Sequence, residues 1–376
     1  MSRRTTPRIE AALQAALSAG EVGIQVAAYL GDELVVDTWA GETSAGRGGE
    51  VTGDTLFPIF SVTKALTATA AHLQVERGLL RYDQPVCEVW PDYAQHGKDS
   101  VTLEHVLAHR SGAPTIPAGT TVDQLLDWEW MCAAIAAEPP VAPPDTMNAY
   151  SPYGFGFVVG ELVRRTDTHK RSFHEFVRAE ILGPLGLHDF HLGLPDSQRG
   201  RVANLTGQEP APLDPAGLGV RASPPQLPFG PSLYNRPEVQ AEGLPSAGGV
   251  ATAKATAKLF TLYAGRGRVD GERFLSDAAI EQCRRPRPLD PDQTYGYVMP
   301  VGYGGLWHIA PGVSDSNPGG ALTEGVLSHT GAGGTVAWAE PDRGLAVAIL
   351  HNRGFFGPQP VAPFGGIGDA IHDLVG

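Results

Sequence analysis

Residues 57–77 read FPIFSVTKALTATAAHLQVER and carry the strongest structural signal in the sequence. Apolar residues recur at helical spacing, and Gly78, a frequent helix C-cap, follows, so the pattern predicts a helix over 61–77. Residues three apart share a helix face, so the Lys64 amine can reach the Ser61 hydroxyl. Burial at a helix N-terminus would lower the lysine pKa and let the amine take the serine proton. A helix cap followed by a solvated lysine has the same spacing.

A second candidate lies in residues 143–162, PPDTMNAYSPYGFGFVVGEL. The proline-rich approach and the glycine-punctuated apolar run place Tyr150 at a junction between a loop and a helix. A phenol in such a place relays protons if a nearby cation lowers its pKa. A packed core tyrosine is the alternative interpretation.

The third candidate is the run SHTGAGG at residues 328–334. A strand that ends in small residues can present its backbone N–H groups to a cleft without obstruction by side chains. The N–H groups of Ala332 and Ser61 would then form an oxyanion hole. Taken alone, the run equally fits a glycine-rich hairpin turn.

Composition and charge restrict the function classes. The 376 residues include 47 Gly and 32 Pro, and the net charge of −13 disfavours a nucleic-acid partner. No apolar run is long enough to cross a membrane, and no export signal is recognisable, so we expect a cytoplasmic protein. His105 and His109 have the spacing of a helical metal pair but lack the HExxH order, so no metal and no cofactor are expected. The cysteines are too scattered for a disulfide or zinc framework: Cys87, Cys132 and Cys283.

The order of elements predicts an α+β fold, because strand-like runs lie at both ends and helical patterns fill the middle. Predicted strands are 23–30, 33–39, 294–301, 326–329, 335–340 and 344–351. Predicted helices are 9–17, 61–77, 101–109, 122–137, 154–165, 172–182, 251–263 and 364–375, with a long ordered loop at 206–237. We expect one domain over 1–376, with an α/β lobe at about 1–60 and 245–376 and a helical lobe at about 61–244.

Taken in order, these motifs resemble the serine β-lactamase-like superfamily, which includes class C β-lactamases, D-aminopeptidases, DD-peptidases and family VIII carboxylesterases. The resemblance implies a β-lactamase/transpeptidase-like fold, with an antiparallel sheet from both termini and an inserted helical lobe. It implies that Ser61 is acylated, that Lys64 accepts its proton, and that Tyr150 shares the proton transfer. His329, Thr330 and Gly331 would form the third motif. The supporting stretches are TLFPIFSVTKALTATA, GLLRYDQPVCEVWPDY, VTLEHVLAHRSGAP and LSHTGAGGTVAWAEPDRGLAVAILHNR.

Two residues depart from the β-lactamase pattern. Pro152 replaces the asparagine of the second motif, and His329 replaces the lysine of the third. A permanent cation that would bind a substrate carboxylate is therefore missing. Both departures favour an esterase over a β-lactamase.

We therefore expect a carboxylesterase that acts on a small-molecule ester or amide. The alternatives are a transacylase of natural-product biosynthesis, a β-lactamase or D-amino-acid amidase, and an inert binding module. The segments 206–237 and 302–324 look private to this chain. Several aromatic residues are candidates for the substrate-binding wall: Trp307 and His308 in the second segment, Phe229 and Tyr234 in the first, and Trp130 outside both. Trp307 and His308 fit a packed loop anchor equally well.

Overall fold

A computed structural model describes residues 3–46, 48–308, 325–355 and 363–376. The strands are β1 (Gly23–Leu30), β2 (Glu33–Gly41), β3 (Phe57–Pro58), β4 (Phe190–Leu192), β5 (Gly249–Ala251), β6 (Arg268–Val269), β7 (Glu272–Arg273), β8 (Trp307–His308), β9 (Leu327–Thr330), β10 (Val336–Glu340) and β11 (Leu345–His351). The α-helices are α1 (Pro7–Ser18), α2 (Thr63–Glu76), α3 (Val86–Val89), α4 (Leu103–Leu107), α5 (Val122–Leu125), α6 (Trp128–Ala137), α7 (Gly154–Thr166), α8 (Phe173–Val177), α9 (Leu218–Ala222), α10 (Pro231–Tyr234), α11 (Pro237–Glu242), α12 (Ala253–Ala264), α13 (Asp277–Arg284) and α14 (Gly365–Val375).

The main sheet has six antiparallel strands in the order β2-β1-β11-β10-β9-β8. Strand β1 from the start of the chain lies beside β11 from its end, with Val26 opposite Ile349. Helices α1 and α14 cover one face with apolar side chains, and α12 packs on the other. The expected α+β, β-lactamase-like architecture, with a sheet built from both ends of the chain, is confirmed.

Helix α2 is buried on all sides. Every residue from Thr63 to Gln74 is buried, and the helix packs against α7. Polar side chains inside it therefore need partners within the protein: the Thr67 hydroxyl donates to the Pro245 carbonyl at 2.6 Å, and Thr69 pairs with the Tyr263 hydroxyl at 2.6 Å. Ser61 and Lys64 are thus buried at the start of a helix that the protein surrounds.

Some predicted elements differ from the structure. The helix predicted at 122–137 is two helices, because the Asp127 carboxylate caps the second by accepting from the N–H of Trp130. The 206–237 stretch contains the short helices α9 and α10. The strand predicted at 294–301 is wrong, because a turn at Gly296, with φ +80, interrupts the segment.

Among the described residues, no helix is both long and apolar enough to cross a membrane. The cytoplasmic location, and the division into lobes at residues 60 and 245, stay predictions. Most of the 302–324 segment, namely 309–324, lies outside the described residues.

Candidate active site

Ser61 lies on a strained turn. Strand β3 pairs with β5, and a 3-10 turn at Phe60–Val62 then leads into α2. Phe60 has φ +47, a conformation that costs a bulky residue about 1–3 kcal/mol. Burial of its ring, centred 4.7 Å from that of Tyr234, helps to hold this conformation. The turn places Ser61 at the start of α2 and on the wall of a cleft.

Lys64 is fully buried next to Ser61. Its Nζ lies 3.2 Å from the Ser61 Oγ, 3.0 Å from the Pro152 carbonyl oxygen and 3.1 Å from the Ser246 carbonyl oxygen. Burial holds the pKa of Lys64 well below its ordinary value. The structure thus gives Pro152, the residue that departs from the family motif, a backbone contact with the lysine.

These three contacts suit a neutral amine. An uncharged Nζ has two N–H groups and one lone pair. The two N–H groups can donate to the Pro152 and Ser246 carbonyls, which leaves the lone pair for the Ser61 hydroxyl. When that lone pair takes a proton, the third N–H points at the oxygen that lost it. The arrangement can therefore accept the serine proton without moving the lysine.

Tyr150 completes the predicted cluster. Lys64 Nζ lies 4.9 Å from the centre of its ring. Burial raises the pKa of Tyr150 well above its ordinary value, and a hydrogen bond with the Ser61 side chain partly opposes this. The phenol is therefore protonated at neutral pH and can donate its proton near the Ser61 oxygen.

The third motif lies against the turn that carries Ser61. A Cβ added to Gly331 would be 2.7 Å from the Ile59 carbonyl oxygen, so only glycine allows this approach of β9. Ala332 and Ser61 line the same cleft, as an oxyanion hole between their N–H groups requires.

His329 is fully buried and lies outside the cleft lining, whereas Thr330 and Gly331 belong to it. Its Nδ1 lies 2.8 Å from the Thr330 carbonyl, and its ring centre is 5.7 Å from that of Trp307. Burial and then the charge of Lys64 lower the pKa of His329 to about 3. At neutral pH the residue in the usual lysine position is therefore an uncharged side chain behind the cleft wall.

The cleft has a volume of about 960 Å³ and mostly apolar walls. Trp307 and Phe229 line it as predicted, and Glu209 is the charged side chain among the described lining residues. Tyr234 packs behind Phe229, and neither Trp130 nor His308 belongs to the lining. The lining also includes Pro210, Pro212, Leu213, Pro224, Pro225, Tyr295, Tyr297, Met299 and Phe355.

Sequence reasoning missed His109 as a site residue. Its ring stacks on that of Tyr150 with centres 4.2 Å apart, and its Nδ1 accepts from the Ser151 N–H at 3.0 Å. The residue lies beyond the end of α4, whereas His105 caps the start of that helix with Thr102, so the two do not form the considered metal pair. Among the described residues, no cluster of three or more potential metal ligands occurs.

Comparison with known proteins agrees with this fold. A family VIII carboxylesterase superposes with a TM-score of 0.88 at 26% identity, over 99% of both chains. A penicillin-binding protein homologue from Caulobacter crescentus superposes with a TM-score of 0.85 at 31% identity, also over 99% of both chains. The architecture is therefore that of the esterase and β-lactamase type of serine hydrolase.

Sequence comparison gives the family. The family model described as Beta-lactamase matches residues 8–364. Esterase/beta-lactamase LipL of Mycobacterium tuberculosis is 32% identical over 350 residues, which cover 88% of this chain and 77% of LipL. The chain belongs to the Beta-lactamase family, within the serine β-lactamase-like superfamily.

Proposed function

We propose that the protein is a carboxylesterase that forms an acyl-enzyme at Ser61. The supporting observation is the position of Lys64, whose buried Nζ meets two backbone carbonyls and the Ser61 oxygen. A lowered pKa suits the amine to accept a proton, and its Nζ lies within hydrogen-bond distance of the nucleophile.

In the first half-reaction, Ser61 Oγ attacks the ester carbonyl while its proton passes to Lys64 Nζ. The N–H groups of Ser61 and Ala332 stabilise the negative oxygen of the tetrahedral intermediate. The carbon–oxygen bond to the alcohol then breaks, and the leaving oxygen takes a proton from Tyr150, which is reprotonated by Lys64. In the second half-reaction, water attacks the acyl carbon while Lys64 and Tyr150 take one of its protons. The bond between the acyl carbon and Ser61 Oγ then breaks, and Oγ receives that proton as the carboxylic acid leaves.

The walls of the cleft favour an uncharged ester. A substrate carboxylate finds no cationic side chain among the described lining residues, and it meets the negative charge of Glu209. Desolvating an unpaired carboxylate in an apolar cleft is costly. The natural β-lactam substrates of related enzymes carry such a carboxylate, so the lining supports esterase over β-lactamase activity.

Acyl transfer to an alcohol or amine is the second candidate. A cleft of about 960 Å³ leaves room for an acceptor beside a short acyl group, and its apolar lining suits an organic acceptor better than water. The acyl-enzyme is common to both reactions, so the acceptor is tested after the acylation step.

Intact mass after mixing with p-nitrophenyl acetate tests the proposal. Wild-type protein should gain one acetyl group with a burst of nitrophenol, and Ser61→Ala should show neither. A cephalosporin should give little adduct, and p-nitrophenyl butyrate should react at least about 10-fold faster than the length-matched succinate half-ester, which carries a carboxylate. Added alcohols should leave the nitrophenol burst unchanged and reveal any transfer product. Retained turnover in Ser61→Ala would overturn the mechanism, and an unreactive wild type would support the binding module.

A further inference from the structure

Asp292 lies outside the cleft lining and contacts the backbone of Tyr150. The N–H of Tyr150 donates to both Asp292 carboxylate oxygens, at 3.1 and 2.9 Å. Thr294 adds two contacts: its N–H donates to Asp292 Oδ1 at 3.0 Å, and its hydroxyl donates to the Tyr150 carbonyl at 2.8 Å. Both backbone polar groups of Tyr150 are thus held by one short segment far away in the sequence.

A buried arginine balances the charge of this carboxylate. Arg287 Nη2 donates to Asp292 Oδ2 at 3.2 Å, and both side chains are fully buried. The same guanidinium donates to the carbonyls of Ala108, at 2.7 Å, and Met299, at 3.1 Å. A buried ion pair contributes little net stability relative to apolar residues of the same shape. Its geometry here instead fixes the backbone at Tyr150.

We propose that Asp292, held by Arg287, is a positioning residue that fixes Tyr150 beside Ser61 and Lys64. This inference rests on the proposed function, in which the Tyr150 phenol gives its proton to the leaving group. Proton transfer requires hydrogen-bond distance between the phenol and the leaving oxygen. Tyr150 lies at the end of a loop, immediately before the turn that enters α7, so its backbone depends on contacts from outside that loop.

The chemistry of Asp292 makes the proposal specific. Both of its oxygens face donors: the N–H groups of Tyr150 and Thr294, and the guanidinium of Arg287. In Asp292→Asn, an NH₂ group replaces one of the two oxygens. Whichever way the amide turns, this donor faces another donor and loses a hydrogen bond that the carboxylate made. The variant keeps the size of the side chain while removing one set of contacts.

The first test is the single-turnover acylation of wild type and Asp292→Asn by phenyl butyrate, followed through phenol release, because this more basic leaving group needs the proton from Tyr150 whereas nitrophenolate leaves without one. We expect the maximal acylation rate to fall about 10- to 100-fold, the range that misplacement of a catalytic group produces. The ester concentration that gives half of this rate should change less than about 2-fold, because Asp292 lies outside the cleft lining.

Glu161→Gln is the matched control. Glu161 is also fully buried, and it accepts from Trp128, Arg164 and Arg165 at 2.7–2.9 Å, within α7 and away from Ser61. Its loss should lower the melting temperature while leaving the acylation rate within about 2-fold of wild type. An equal fall of the rate in both variants would show a general loss of structure and would overturn the proposal.

Two further variants extend the test, and Thr294→Val keeps it decisive if Asp292→Asn folds poorly. Thr294→Val removes only the hydroxyl that donates to the Tyr150 carbonyl, and it should slow acylation a few-fold. In the double variant Arg287→Gln/Asp292→Asn, the side-chain carbonyl of Gln can accept from the Asn NH₂ group, which would otherwise face the Arg287 donors. The double variant should therefore acylate faster than Asp292→Asn alone.

Full acylation rates in folded Asp292→Asn and Thr294→Val would overturn the positioning role. That result would leave the proposed function intact, because wild-type acylation and its loss in Ser61→Ala are measured in the same series. An unreactive wild type, or a reactive Ser61→Ala, would instead refute the proposed function itself.

Discussion

Lys64 and Lys98 occupy similar surroundings with opposite consequences. Both side chains are fully buried, and each Nζ contacts backbone carbonyl oxygens. Lys98 donates to the carbonyls of Ile135 and Ala136, at 3.2 and 2.8 Å, and to that of Glu138. Lys64 has two carbonyls and, as its third partner, a hydroxyl.

Lys64 and Lys98 differ in the third partner of Nζ and in which end of a helix lies nearby. The carbonyls around Lys98 belong to the C-terminus of α6 and the residue after it, where the helix dipole favours a cation. Lys64 lies in the first turn of α2, where the dipole disfavours one. Burial lowers the pKa of Lys98 to about 8 and holds that of Lys64 well below its ordinary value. Lys98 thus caps a helix, whereas Lys64 faces a hydroxyl whose proton it can take, so burial alone does not make a lysine reactive.

The largest expected difference is in turnover. Lys64→Met should lower ester hydrolysis about 10³-fold, within the range that general-base catalysis contributes. Lys98→Met should stay within about 2-fold of wild type, because the Lys98 Nζ contacts the carbonyls at the end of α6 and not the Ser61 hydroxyl. Steady-state kinetics with p-nitrophenyl butyrate measures both, and equal losses would remove the distinction between the two lysines.

Stability should show the reverse order. Lys98→Met leaves three carbonyls without their donor, two of them buried, which should lower the free energy of unfolding by about 1–3 kcal/mol. Lys64→Met should lose less, because it removes the donor of two carbonyls rather than three. Urea unfolding at pH 7 tests this, and a larger loss in Lys64→Met would contradict it.

We expect pH to have a smaller effect on the free energy of unfolding. The pKa of Lys98 is about 8 in the folded protein and near 10.5 in the unfolded chain, so between these values the unfolded state binds more protons. Stability from this group therefore rises with pH across that window. Between pH 8 and pH 9, wild type should gain about 1 kcal/mol over Lys98→Met. A constant difference between the two would show that Lys98 does not titrate there.

The elements that local patterns encode were predictable from the sequence. The Gly31-Asp32 turn gives the hairpin of β1 and β2, and residues 341–344 give that of β10 and β11. The segment 294–301 has the apolar and aromatic composition of a strand. The turn at Gly296 interrupts that strand, and the Asp292 carboxylate then ties the segment to Tyr150 through the backbone N–H groups of Tyr150 and Thr294. No local pattern records the contact with Tyr150.

The candidate site also contains residues that the sequence predicts and residues that only the folded structure reveals. Ser61, Lys64 and Tyr150 lie in recognisable motifs, and the structure brings them together. Asp292 lies in the stretch PLDPDQ, whose prolines and acids are typical of a solvated turn. Its burial follows from its ion pair with Arg287, which stands in the basic run RRPR at residues 284–287. Buried charges of this kind become visible only once the chain is folded.

The pairing of β1 with β11 has a consequence for biosynthesis. The two strands are separated by roughly 300 residues, so at about 5–20 residues per second β1 waits on the order of 15–60 s for its neighbour. Before β11 is made, β1 has only β2 of its two neighbours in the sheet, so its other, apolar edge is unpaired. Closure of the sheet around β1 therefore follows synthesis of β11, and until then this edge is open to pairing with other chains.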